Sequence, residues 1–349
     1  MLLCGKSLVN NFFKYKRKVF SNFIVTSRRC KGTTQQPKIL FFGTDNFSLP
    51  SLKKLHLNNF DVSVVTSFKS PANCVRSYAE QQKLSLYRWP ISEEQCAAYE
   101  LGVVVSFGHL IPLHIINALS RGIINVHASL LPRWRGAAPI MYAIMQGDAK
   151  TGITIMKIAP HQFDIGPILA QREMPIRSDI YMPELHAALS QLGSELLVDT
   201  MNNLEDRLLN AYPQNDAVAT YAPKITSQIT EIRWSQQTSM ELFARYRALY
   251  GFKNLTTSFL GKTVQLLELK PPVPADELRL PASTIQVPGS FYFHRLRKSL
   301  LIGCAQGTQL EVLQLRVEGK KPMSAHDFNN GFLKRAQTLQ FTQNKQVIC

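Results

Sequence analysis

The chain has 349 residues, of which 45% are apolar, and a mean hydropathy of −0.08, enough for two domains with a buried core in each. No apolar run approaches the roughly 18 residues of a membrane span. The six cysteines (Cys4, Cys30, Cys74, Cys96, Cys304, Cys349) form no Cys-x-x-Cys pair and no metal-ligand spacing, so neither a disulfide framework nor a zinc site is expected. The net charge of +16 points to an anionic partner and is unevenly spread.

No acidic residue precedes Asp45, whereas Lys6, Lys14, Lys16, Arg17, Lys18, Arg28, Arg29 and Lys31 contribute +8 among interleaved apolar residues. Residues 1–36 therefore read as a mitochondrial targeting segment, with a matrix destination, and are set aside from the fold. Residues 37–210 hold 15 basic and 15 acidic residues and net to zero. Residues 211–349 hold 17 and 9 and net to +8. A neutral half followed by a basic one suggests that the second half meets a polyanion.

In chain order, strands are expected at 38–43, 61–67, 84–89, 102–107 and 122–127. Helices are expected at 47–57, 111–119 and 138–146, then a hairpin from 151–158 and 168–174, and one long helix or a broken pair over 182–209. This alternation predicts an α/β domain, 37–210, with a mostly parallel Rossmann-like sheet. Gly43-Thr44-Asp45 follows the first strand, but no Gly-x-Gly-x-x-Gly does, so a dinucleotide is not supported. Pro213 and Pro223 mark a linker, 211–230. A helix at 239–250 and short strands at 255–260, 263–268, 289–293, 299–302 and 309–315 follow, with a Pro-containing insertion at 271–288. They predict a small β-barrel domain, 231–338, and a tail, 339–349.

The run Asn125-Val126-His127-Ala128-Ser129-Leu130-Leu131-Pro132-Arg133-Trp134-Arg135-Gly136 carries the chemistry. Alternation along the strand sends Asn125 and His127 to the same side, an amide donor beside a titratable imidazole, near the strand's C-terminal end. Open α/β sheets bind ligands at that edge. His127 suits proton exchange near neutrality, and Asn125 could steady a developing oxyanion. Standing alone, each would more often be a structural hydrogen-bonder. The other histidines are read as structural, although His109, also at a strand end, could line a pocket.

Together with Phe163-Asp164-Ile165-Gly166, Tyr221-Ala222-Pro223-Lys224-Ile225 and Gly319-Lys320-Lys321-Pro322, this run resembles the folate-dependent formyltransferases, and among them the branch acting on methionyl-tRNA. The resemblance covers about 38–332. It implies an OB-like second domain, 10-formyltetrahydrofolate as co-substrate, no metal, and initiator methionyl-tRNA as acceptor, for a monomer that needs no membrane. It also implies Asn125, His127 and Asp164 as catalytic residues. Phe107, Gly108, Ser129, Leu130, Leu131, Pro132 and Phe163 would surround the folate, and Arg133, Trp134, Arg135, Lys320 and Lys321 would meet tRNA.

Formyl transfer between nitrogens is acyl transfer to a substrate amine, so no protein nucleophile is required. Two departures stand out. Pro167 follows Gly166 where bacterial relatives usually carry an acid, and 66–76 is compact where they carry a long basic loop, with only Lys69 and Arg76 positive. Competing readings are a formyltransferase acting on glycinamide ribonucleotide or an amino-sugar, a formyltetrahydrofolate hydrolase, and a catalytically silent RNA-binding relative.

Overall fold

The computed structural model describes residues 36–160, 163–273, 287–332 and 340–342. Residues 1–35 of the targeting segment, His161, most of the 271–288 insertion, and residues 339 and 343–349 of the tail lie outside the described residues.

The first domain is built on β1 (Ile39–Phe42), β2 (Val62–Thr66), β3 (Leu86–Arg88), β4 (Leu101–Val105) and β5 (Ile123–His127), all parallel, in the order β3-β2-β1-β4-β5. Sequences such as ILFF and LGVVV are buried throughout, as expected for parallel strands covered on both faces. α1 (Leu49–Leu57), α2 (Cys74–Gln81), α3 (Glu93–Cys96), α4 (Leu113–Ala118) and α5 (Pro139–Met145) connect or cover them. β6 (Lys150–Lys157) runs antiparallel to β5 and pairs with β7 (Ile168–Pro175), so the expected hairpin is present. The 182–209 stretch resolves as a broken pair, α6 (Met182–Asn202) and α7 (Leu204–Leu209). α6 lies close on the sheet: a methyl group added at Gly193 would meet Val126 Cγ1 at 3.1 Å.

Two helices in this domain were not foreseen. α2 and α3 are short, and neither has an apolar stripe long enough to declare itself. Their starts are nevertheless written locally: Asn73 caps α2 through the Arg76 N–H, and Ser92 with Gln95 forms a reciprocal capping box on α3.

The strand order reverses between β1 and β4, and the crevice at this switch point is where doubly wound sheets hold ligands. Both flanking turns are tied together. The Asp45 carboxylate accepts the N–H groups of Phe47 and Ser48 at 3.1 Å and the Ser106 hydroxyl at 2.5 Å.

The linker is pinned to the first domain, with bridges Tyr212–Ile168 and Tyr221–Arg135. α8 (Ser239–Leu249), capped by Thr238 and Glu241, leans on α5, and the buried Arg247 donates to the Ile180 carbonyl at 2.7 Å. β8 (Leu255–Phe259), β9 (Lys262–Leu269), β10 (Phe291–His294), β11 (Ser299–Gly303) and β12 (Gln309–Val317) form an antiparallel sheet ordered β10-β11-β12-β9-β8. The short β13 (Met323–Ser324) pairs with β12 and leads into α9 (Ala325–Gly331), also unforeseen. Residues 340–342 join the two sheet edges: Thr342 pairs with Ser258 and Gln340 with Ser290. This closes the small OB-like barrel around Phe259, Phe291, Phe328 and Phe341. Among the described residues no helix is long and apolar enough to cross a membrane.

Candidate active site

A cavity of about 560 Å³ opens at the switch point, a size typical of small-molecule sites. Asp45, Ser106, Phe107 and Gly108 line it from the turns after β1 and β4, and Asn125 and His127 from β5. Asp164 and Phe163 reach it from the loop between β6 and β7, and Phe252 from the second domain.

Asn125, His127 and Asp164 meet here. Asn125 Nδ2 donates to Asp164 Oδ1 at 3.3 Å, and His127 Nδ1 lies 3.6 Å from the same oxygen. The other carboxylate oxygen accepts the Gly136 N–H at 2.9 Å. His127 Nε2 stands 2.9 Å from the Trp134 carbonyl. A carbonyl only accepts, so Nε2 carries the hydrogen and Nδ1 is left to gain or lose a proton beside the carboxylate. His127 and Asp164 are 6% and 8% exposed, which keeps bulk water from screening the pair. Asn125 has a second amide hydrogen beyond the one given to Asp164.

The loop that presents Asp164 is held by its backbone. Asp164 adopts φ +59°, a left-handed conformation that Asp tolerates better than most residues. Gln214 from the linker donates to the carbonyls of Asp164 and Gly166, both at 2.9 Å. Arg135, almost fully buried, grips Gln214 Oε1 at 3.0 and 2.8 Å and Asp216 at 2.7 Å. At Gly166 a Cβ would stand 1.7 Å from the Lys157 carbonyl oxygen, so only glycine fits. Gly166→Ala is expected to destabilise the protein by more than about 2 kcal/mol, because backbone must move. Thermal melting checks this; an unchanged midpoint would contradict it.

The remaining expected residues divide. Phe107, Gly108 and Phe163 line the cavity, and so do His109, Ile158 and Ala159. Ser129, Leu130, Leu131 and Pro132 do not. The Ser129 hydroxyl instead donates to the Arg133 carbonyl at 2.6 Å, and Leu131 packs with Met156 and Ile168. Thr154 and Gln171 hold that turn from beneath through Leu131 N–H and C=O.

Trp134 and Arg135 are also not where a nucleotide would meet them. The Trp134 indole is buried against Ala143 and Ala222, and its N–H donates to Asp148 at 2.7 Å. Positive φ at Trp134 (+62°) and Gly136 (+117°) swings these side chains inward. Arg133 is the exposed member: it pairs with Asp148 and lies over the Trp134 ring at 4.4 Å. Lys320 and Lys321 are exposed on the turn between β12 and β13. In the compact 66–76 segment, Arg76 is engaged by Glu80 and by the Phe68 ring.

Sequence reasoning missed several lining residues, four of them polar or set apart in sequence. Asp45 stood within a recognised motif but had no role attached, and Lys224 stood within the Tyr221–Ile225 motif without one. His186 was set aside as structural; burial pushes its imidazole pKa down, with Asp45 opposing, and its ring meets Phe47 edge-on. Phe252, 54% exposed, carried no local signal at all.

Comparison with known proteins places the chain in a family. Residues 37–201 match the formyl transferase family and 224–333 its C-terminal domain. The human protein named mitochondrial methionyl-tRNA formyltransferase is 38% identical over 308 residues, covering 85% of this chain and 78% of the relative. The methionyl-tRNA formyltransferase of Koribacter versatilis is 34% identical, covering 84% and 95%. Among solved structures, an N-formyltransferase from Helicobacter canadensis, in complex with folinic acid and dTDP-3-aminofucose, superposes with a TM-score of 0.60 at 17% identity, covering 79% of this chain and 98% of that one. The structural likeness shows the shared fold, and the two curated relatives show the lineage: the chain belongs to the methionyl-tRNA formyltransferase family.

Proposed function

We propose that this chain transfers the formyl group of 10-formyltetrahydrofolate to the α-amino group of methionine on initiator tRNA, in the mitochondrial matrix. The observation that carries this reading is the meeting of Asn125, His127 and Asp164 around one carboxylate oxygen inside the cavity. Relatives named as mitochondrial methionyl-tRNA formyltransferases and the basic, acid-free start of the chain support the location.

Folate supplies the activated one-carbon unit, and the residues present suit it. Phe107, Val104 and Ile111 offer flat apolar walls. The left-handed Gly108 leaves its backbone free of side-chain cover, with nothing within 4 Å of where a Cβ would be. Asn125 donates its free amide hydrogen to the carbonyl oxygen that gathers charge as the amine adds. His127 Nδ1, next to Asp164 Oδ1, moves the proton lost by the amine toward the leaving nitrogen. Asp164 Oδ1 accepts from Asn125 and faces His127 Nδ1, and so holds both groups in place while that happens. Arg135 and Gln214 are positioning residues, acting through the Asp164 loop.

In this reading residues 37–210 carry the chemistry, 211–230 join the domains, and the basic 231–338 domain holds tRNA with Arg133, Lys320 and Lys321 at its approach. Trp134 and Arg135 support the site from within. The protein acts as a monomer.

Incubation with formyl-labelled 10-formyltetrahydrofolate and charged tRNAs tests the function. Label should appear on methionine of initiator tRNA in preference to elongator. Label released as formate, or passed only to an amino-sugar or glycinamide ribonucleotide, would overturn it. Gln214→Ala should lower kcat about tenfold or more, by loosening Asp164, while the KM for tRNA stays close to normal. A matched change in both constants would assign Gln214 to tRNA binding instead.

A further inference from the structure

A second niche, of about 430 Å³, lies where the linker meets α8. Thr226, Gln228, Gln236 and Gln237 give it polar walls, and Arg233, Arg245 and Glu231 give it charge. Arg245 spends one N–H on the Glu231 carbonyl at 3.3 Å, out of the five a guanidinium carries. Among the described residues neither arginine comes within ion-pairing distance of a carboxylate. Glu241, which acts on Arg245 through its charge, is committed to capping α8 at Thr238, so Glu231 is the one acidic residue lining the niche against the two arginines. Burial disfavours the Arg245 charge, and the like charge of Arg233 adds to the cost. Two cations facing one polar hollow, one of them largely out of water, make a socket for an anion.

The position of the hollow indicates which anion. Lys224 lines the catalytic cavity and Thr226 lines the niche, two residues or at most about 7 Å of chain apart. A strand whose end sits in the cavity would pass the niche with its backbone. We infer that Arg233 and Arg245 form a phosphate subsite for the backbone of the tRNA, an inference that rests on the tRNA reading above. A free phosphate would share this chemistry, so the test must separate the two.

The full chain and its Arg233→Gln, Arg245→Gln and double variants would be titrated with uncharged initiator tRNA over a salt series. Arg233 is exposed, so its variant keeps the fold if the partly buried Arg245→Gln does not; thermal melting monitors both. The double variant should bind tRNA roughly tenfold more weakly, and the slope of log affinity against log salt should shrink by roughly 1 per arginine removed. Inorganic phosphate alone, followed by calorimetry, forms the second arm. Unchanged tRNA affinity and slope overturn the subsite. If phosphate binding alone were lost, the niche would serve free anions and the RNA assignment would fall. A wild-type chain that formylates tRNA but shows no variant effect refutes the niche only, whereas one that does not bind tRNA refutes the function beneath it.

Discussion

His127→Ala should lower kcat for formyl transfer about 10²- to 10⁴-fold, the range for losing a positioned acid–base group, while the dissociation constant for tRNA stays within about twofold. The imidazole is buried, fixed through Nε2 on the Trp134 carbonyl, and turned with Nδ1 to the carboxylate, a placement that neither His109 nor His186 shares. Asp164→Asn should be similarly damaging although it conserves volume. The introduced amide would donate to Nδ1, and the carboxylate that faces the ring at 3.6 Å would be gone. Steady-state turnover at saturating substrates, with tRNA affinity measured separately, distinguishes chemistry from binding. Near-normal turnover in either variant would remove His127 and Asp164 from the mechanism.

Asn125→Ala should cost about 10²- to 10³-fold in kcat, the effect of deleting one oxyanion donor. Asn125→Asp should be no better, because it removes the donor and sets a second carboxylate next to Asp164, where the present contact is 3.3 Å. Such a pair cannot both ionise freely, and protons would be held where none is wanted. KM for folate should change little, because the apolar walls at Phe107 and Ile111 are untouched. A variant that raised KM and left kcat intact would instead make Asn125 a binding residue.

Asn125 and His127 were legible because strand alternation alone sets them on one side of β5. The parallel core was legible for the same reason: runs such as LGVVV and IINVH have no exposed face to interrupt them. Asp164 came only through the resemblance, since 39 residues separate it from Asn125 and its approach depends on a left-handed backbone. The direction of the 129–136 loop was not legible. Two arginines around a tryptophan look alike in sequence whether they face solvent or core, and here positive φ at Trp134 and Gly136 decides. The partner that gives Arg135 its purpose, Gln214, is 79 residues away. The same distance problem hid Phe252, which reaches the cavity from another domain, and residues 340–342, whose two bridges close the barrel.

The most direct measurement is single-turnover transfer of a labelled formyl group to methionyl-tRNA by the wild type, His127→Ala, Asp164→Asn and the double variant. If imidazole and carboxylate move one proton as a unit, the double variant should be about as slow as the worse of the two single variants. Losses that multiply, or a single variant that keeps wild-type speed, would contradict a shared proton path through these two side chains.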